Sequence, residues 1–249
     1  MTDLHCHILP GMDDGAKDVE ASLRLLSREY QDGVRQIALT SHFNTHRTTV
    51  EEFLAKREQA YAELTKALAR TTMNFYFKLG AEVFFTPQLR DMDAGRLCIE
   101  GTPYMLIEFP LTHRPHFIRE TFSALEDQGI YPLIAHVERY PYMLDDPGLL
   151  YELVAAGAYA QINAGALLRS GQTKQILNLL KWELAHVIAT DTHSLDKRPP
   201  QMAAAMELIG DKLGRPFAEQ LINNGAELFH GAEPDVSPHS PRKFLGRWI

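Results

Sequence analysis

Along the chain, short apolar runs alternate with longer stretches in which apolar side chains recur at helical spacing, the signatures of strands and amphipathic helices. Met1-Thr2-Asp3-Leu4-His5-Cys6-His7 reads as a strand entering a turn bracketed by Gly11 and Gly15. Val19, Leu23, Leu26 and Tyr30 follow at helical spacing behind an Asp18 N-cap, with Gly33 as the closing residue. A second strand is expected over 34–40. Thr48 with Glu51, or Thr49 with Glu52, then makes a capping box for a helix striped by Val50, Leu54, Tyr61, Leu64 and Leu68. Further strands are expected over 75–81, 104–109, 130–135, 158–163 and 185–190. Helices around 117–125, 149–156 and 176–184 separate the later ones, and 86–95 reads as a short helix or turn. Two more helices, near 200–213 and 216–229, close the pattern. Residues 231–249, with Pro234, Pro238 and Pro241, read as a packed-down or mobile tail.

Seven strands alternating with helices imply a parallel sheet, and a chain of 249 residues is long enough to close it. The expectation is one α/β domain over 1–230, a seven-stranded (β/α)7 TIM-like barrel, followed by the tail 231–249. An open doubly wound sheet is the alternative, but no Gly-x-Gly-x-x-Gly turn follows the first strand.

The chemistry sits where those strands end. His5 and His7 are two apart, so a strand projects both rings from one face and Cys6 from the other. Taken alone, His-x-His is a common surface pair. However, His5, His7, His42, Glu82, Glu108, His136, Asp191 and His193 all fall at or just after predicted carboxyl ends, and scattered surface residues have no reason to choose those places. Asp14, in the glycine-bracketed turn, makes nine candidate ligands, more than one ion can use, so two or three divalent ions are expected. Imidazole and carboxylate without thiolate suit manganese, zinc or iron. Such a cluster fits phosphate-ester hydrolysis, and Arg139 and Arg198, each just beyond a ligand-bearing strand, offer guanidinium forks for phosphate oxygens. His46, His113, His116, His186, His230 and His239 are read as surface or capping residues, Trp182 as core and Trp248 as an anchor for the tail.

Composition narrows the class. A net charge of -7 argues against a nucleic-acid face. The N-terminus has no basic n-region or apolar h-region and no apolar run approaches a membrane span, so the expected compartment is the cytoplasm. Cys6 and Cys98 are too few for a disulfide framework and are read as small buried groups; the positions six beyond them are Met12 and Tyr104, not the Arg that a cysteine phosphatase loop needs.

His5-Cys6-His7-Ile8-Leu9-Pro10-Gly11-Met12-Asp13-Asp14-Gly15, Thr40-Ser41-His42, Gly80-Ala81-Glu82, Leu106-Ile107-Glu108-Phe109, Ile134-Ala135-His136-Val137-Glu138-Arg139-Tyr140 and Ala189-Thr190-Asp191-Thr192-His193 together resemble the PHP (polymerase and histidinol phosphatase) superfamily. The nearer likeness is to its manganese-dependent tyrosine-protein phosphatases of bacterial capsule and exopolysaccharide synthesis. The resemblance implies a distorted barrel with a trinuclear site. His5, His7, Glu82 and Asp191 would hold the first ion, and Glu82 as a bridge with Glu108 and His136 the second. Asp14, His42 and His193 would hold the third, with Arg139 and Arg198 on the phosphate. It further implies attack on phosphotyrosine by a metal-activated hydroxide, on a partner that is a bacterial tyrosine autokinase; a small-molecule phosphatase such as a histidinol-phosphate hydrolase is the alternative. Phe43-Asn44-Thr45-His46 departs from the family's more basic segment.

Overall fold

The computed structural model describes residues 1–169, 171–244 and 247–248. Strand β1 (Thr2–Cys6) is buried along its whole length, as a parallel strand covered on both faces must be. Helix α1 (Val19–Gln31) begins at Asp18, whose side chain accepts a hydrogen bond from the Ala21 amide, and it buries Leu25 and Leu26. Strands β2 (Gln36–Leu39) and β3 (His42–Phe43) follow. Of the two capping boxes open to the sequence, Thr49 and Glu52 form the one that starts α2 (Val50–Leu68). The alternation continues through β4 (Tyr76–Leu79), β5 (Glu82–Phe84), β6 (Tyr104–Glu108), α3 (Ile118–Glu126), β7 (Tyr131–Ile134), α4 (Pro141–Asp145) and α5 (Pro147–Ala155). It ends with β8 (Tyr159–Asn163), α6 (Ala164–Leu167), α7 (Thr173–Lys181), β9 (Val187–Ala189), α8 (Met202–Leu213) and α9 (Arg215–His230). The region expected as a short helix or turn forms two 3-10 turns, Pro87–Asp91 and Ala94–Leu97.

The expected second and third strands are each broken in two. Gly80 N bonds to Leu39 O (3.0 Å), but two residues on Glu82 N lies within reach of both Thr40 O (3.2 Å) and Ser41 O (3.0 Å). The ladder therefore changes partners, giving a parallel sheet in the order β1-β2-β4 and another in the order β3-β5-β6-β7-β8-β9. Where seven strands were expected, the described residues form nine parallel segments in two sheets. Sequence does not mark the breaks because Thr40, Ser41 and Ala81 stay buried through them.

The sheets curl until the end of the last strand meets the first. Cys6 bridges Thr192, with Asp191 N donating to His5 O (2.7 Å) and His7 N to Thr192 O (3.0 Å). Below this seam, buried Asp3 accepts from the amides of His5 (3.2 Å) and Thr190 (2.9 Å), tying β1 to β9. Leu4, Ala38, Leu106, Leu133 and Val187 form one buried cluster with Leu228 and Phe229 of α9. Among the described residues no helix is long and apolar enough to cross a membrane.

The first part of the tail packs down: Ser237 N donates to Glu183 Oε2 (2.8 Å) and His239 N to Trp182 O (2.8 Å). Strands β10 (Lys243–Phe244) and β11 (Arg247–Trp248) pair antiparallel, and Trp248 Nε1 donates to Asp145 O (3.0 Å). Trp182, read as core, is the half-buried C-cap of α7.

His186, expected at the surface or as a cap, is instead 1% exposed. Its Nδ1 accepts from Ala160 N (3.0 Å) and its Nε2 donates to Glu183 O (3.0 Å), a pairing that only the neutral ring can make. Burial pushes its pKa from 6.5 down to about 4. The unfolded chain thus binds this proton first, so the stability that neutral His186 confers is complete above about pH 6.5 and is lost on acidification toward about pH 4, on the order of 3 kcal/mol. Urea unfolding followed across that window should show a shallower pH slope for His186→Asn than for the parent; equal slopes would rule the assignment out.

Candidate metal centre

β1 carries His5 into the interior, and His7, just beyond it, lies on the same face; both are fully buried. The two sheet breaks let His42 open β3 and Glu82 open β5, directly opposite each other in register. Glu108 ends β6, His136 follows β7, and Asp191 and His193 follow β9. His136 (φ 31°) and Asp191 (φ 50°) are held in the left-handed region, which costs a non-glycine residue about 1–3 kcal/mol and concentrates at functional sites.

The nine expected ligands converge in one pocket. His5 Nε2 lies 3.2 Å from His7 Nε2, 3.3 Å from Glu82 Oε2 and 3.4 Å from Asp191 Oδ1. His7 Nε2 is 3.1 Å from Glu82 Oε2 and 3.4 Å from Asp191 Oδ1. His136 Nε2 sits 2.9 Å from Glu82 Oε1 and 3.5 Å from Glu108 Oε1. Asp14 Oδ1 is 3.4 Å from the Nε2 atoms of both His42 and His193. His42 spans two of these groups, since its Nδ1 is 2.9 Å from Glu82 Oε2.

Several of these short contacts are not hydrogen bonds. Glu82 Oε2, Asp191 Oδ1 and His193 Nε2 are buried with no hydrogen-bond partner among the described residues, although imidazole nitrogens or carboxylate oxygens lie close by. Lone pairs that face one another without a proton between them repel, and divalent cations are the groups that resolve such an arrangement. The donors are all nitrogen and oxygen, because Cys6 points away with Sγ donating to Ala38 O (3.4 Å). The residues therefore fit hard to borderline divalent ions.

Neighbouring groups aim the rings. Asp13 Oδ2 accepts from His7 Nδ1 and from the His42 amide (2.9 Å each), and its Oδ1 accepts from the Gly15 amide (3.0 Å). Burial pushes the Asp13 carboxyl up, but the His7 charge and these hydrogen bonds hold it well below the usual carboxylate range. The result is a carboxylate–histidine pair of the kind that orients metal ligands. His193 Nδ1 donates to Asp191 O (2.9 Å), freeing its Nε2. Burial alone lowers the His136 pKa, yet hydrogen bonds to Glu108 and Glu82 and the Glu82 charge raise it to about 9. A cation must displace such protons to bind.

The two expected arginines are also here: Arg198 Nη1 (3.1 Å) and Arg139 Nη1 (3.5 Å) both reach Asp191 Oδ2. Beside Asp14 and His42 opens a cleft of about 640 Å³, lined also by Arg47 and Lys56, a size that suits a small organic ligand. Strand β8, to which no ligand was assigned, brings Gln161 and Asn163 against His5 and Asp191 (3.1 and 2.8 Å). Neither amide is titratable, so a search for ligands passes over both. Their two-residue spacing, matching that of His5 and His7, is the signal that could have found them.

A curled parallel α/β fold with an imidazole–carboxylate pocket at the carboxyl ends of its strands defines the class. The chain belongs to the CpsB/CapC family of capsular polysaccharide synthesis, whose model matches residues 1–230. It is 33% identical over 254 residues to tyrosine-protein phosphatase YwqE of Bacillus subtilis, covering 99% of each protein. To tyrosine-protein phosphatase CpsB of Streptococcus pneumoniae it is 33% identical over 233 residues, 89% of this chain and 95% of that one. A crystal structure reported for YwqE and CpsB, described as unique metal-dependent tyrosine phosphatases, superposes with a TM-score of 0.91 at 31% identity, covering 98% of this chain and 100% of that one. A β-aspartyl dipeptidase of Fervidobacterium islandicum shares the fold alone, with a TM-score of 0.53 at 13% identity.

Proposed function

We propose that this chain is a cation-dependent phosphatase that hydrolyses phosphotyrosine in proteins, its physiological substrate being a tyrosine autokinase of capsule or exopolysaccharide synthesis in the cytoplasm. The observation that carries this reading is the convergence of nine nitrogen and oxygen ligands, three of their buried atoms unpartnered among the described residues, beside two guanidinium groups. The names of its relatives support the choice of tyrosine phosphate. His5, His7, Glu82 and Asp191 would hold one ion, Glu108 and His136 with Glu82 a second, and Asp14, His42 and His193 a third. The oxygen-rich set favours manganese, with zinc or iron as the competitors. Ions bound there would activate water for attack near neutral pH and would offset charge on the phosphate.

The chain's own part is positioning. Arg139 and Arg198, now on Asp191 Oδ2, can turn their remaining N–H groups to phosphate oxygens. A tyrosinate, with a pKa of about 10, is a better leaving group than an alkoxide, which lessens the need for a strong general acid. We also read the nine segments as seven positions of one distorted barrel, β2 with β3 and β4 with β5 counting once each. The seam at Cys6 and Thr192 supports that reading. The domain would end where α9 does, at His230, with 231–249 as its tail.

Stripping the protein with chelator and restoring single metals tests the activity. Phosphatase activity should vanish on chelation and return most fully with Mn2+, and phosphotyrosyl peptides should be turned over in preference to histidinol phosphate. The opposite preference would make the protein a small-molecule phosphatase.

A further inference from the structure

Gln161 and Asn163 stand two apart on β8, both buried, in a strand whose other residues are Tyr159, Ala160 and Ile162. Their amide orientations follow from one backbone group. The His136 N–H can only donate, so the Gln161 atom 2.7 Å from it is the side-chain oxygen. The Gln161 NH2 group then faces Asn163, donating to its Oδ1 (2.8 Å), and the Asn163 NH2 group faces Asp191, donating to Oδ2 (2.8 Å). His5 Nδ1 lies 3.1 Å from the same Gln161 oxygen, so it must carry the ring hydrogen. That fixes the His5 tautomer and leaves Nε2 as a bare lone pair. Asp191 Oδ2 also accepts from Arg198, so the oxygen left unpartnered is Oδ1. The two free atoms, His5 Nε2 and Asp191 Oδ1, are 3.4 Å apart.

We propose that Gln161 and Asn163 are positioning residues, a relay across β8 that aims the lone pairs of His5 and Asp191 at a single cation. The relay rests on the cluster being a cation site and is independent of which phosphate ester is cleaved. A polar pair this deep in the sheet is costly if any hydrogen bond goes unmade, and each of its members is paired.

The test uses metal-stripped full-length protein titrated with Mn2+ by calorimetry, with thermal unfolding of the stripped protein followed alongside. Gln161→Leu and Asn163→Ala should each weaken the tightest Mn2+ binding by about 10–100-fold. Gln161→Glu keeps the acceptor for His5 and for the His136 amide but loses the NH2 donated to Asn163, so it should hold the His5 hydrogen on Nδ1 while breaking the link to Asp191. The double variant should lose less than the product of the two single losses, because both act through one chain. Nitrogen-15 NMR should place the His5 hydrogen on Nδ1 in the parent and show mixed tautomers in Gln161→Leu. If Gln161→Leu fails to fold, Asn163→Ala and Gln161→Glu carry the comparison. Parent-like Mn2+ affinity in folded Asn163→Ala, an additive double variant, or a parent protein that takes up no Mn2+ would each overturn the relay. A relay that behaves as expected in a protein inactive on phosphotyrosine would overturn only the function proposed above.

Discussion

Glu82→Gln is expected to lower kcat/KM on a phosphotyrosyl peptide by about 10³-fold or more while the chain still folds, since cation-borne charge stabilisation is worth several kcal/mol. Glu82 is 1% exposed, and its Oε2 lies 2.9–3.3 Å from nitrogens of His42, His7 and His5 while Oε1 lies 2.9 Å from His136. No other carboxylate in the pocket touches four of the rings among the described residues. Burial pushes the Glu82 carboxyl up, but the imidazoles around it and the hydrogen bond from His136 hold it well below its usual range, so it is ionised. The amide keeps the shape and removes that charge; it also turns an NH2 group toward ring nitrogens that now face a carboxylate oxygen. Steady-state kinetics with Mn2+ in excess measure the loss, and circular dichroism checks the fold. A variant retaining a tenth of the parent's activity would mean that Glu82 is not at the reaction centre.

Gly15→Ala should be nearly as damaging although it adds one methyl group outside the ligand set. A Cβ at this position would come within 2.1 Å of His7 O, 2.5 Å of His7 Cβ and 2.9 Å of His7 C. Two of these three atoms are backbone, pinned where His7 O accepts from Ala16 N (3.0 Å), so no rotamer change relieves the clash. The turn must lift off β1, taking Asp13 from His7 and Asp14 from His42 and His193. Overpacking of this kind costs about 1–3 kcal/mol, and an ångström of misplacement at a site costs about 10²-fold in rate. Gly11, by contrast, has a positive φ (66°) but no atom nearer than 3.8 Å to an added Cβ, so Gly11→Ala should cost only local backbone strain. Thermal melts and kinetics of the two variants side by side distinguish a close approach from a backbone preference; equal, mild effects would defeat the reading of Gly15.

How far the site is legible in the sequence follows from the same contacts. Candidate ligands at strand ends are readable because strands in a parallel α/β fold share a direction, so positions just past each apolar run gather on one face. The breaks at Thr40-Ser41 and Gly80-Ala81 are not, because they depend on which carbonyl Glu82 N chooses, and burial continues across them. Glu82 therefore opens a strand where the pattern places it at the close of one. His186 is misread for a similar reason: its partners, Ala160 N and Glu183 O, are brought to it only by tertiary packing. The division of labour between Asp13 and Asp14, one steadying His7 and the other facing His42 and His193, also needs the folded turn.

The seam between β1 and the residues after β9 bears on how the protein comes to exist in a cell. Asp3 and Thr190 are 187 positions apart, and the bonds around them set the spacing of His5 and Asp191. During synthesis the N-terminal histidines leave the ribosome long before their carboxylate partner is made. A nascent chain can offer a metal only loose, separate ligands, and the high contact order of this closure makes its completion slow. Under the function proposed, loading with metal belongs to the finished polypeptide, and a fragment ending before β9 would keep most of the candidate ligands yet have no assembled place to hold an ion.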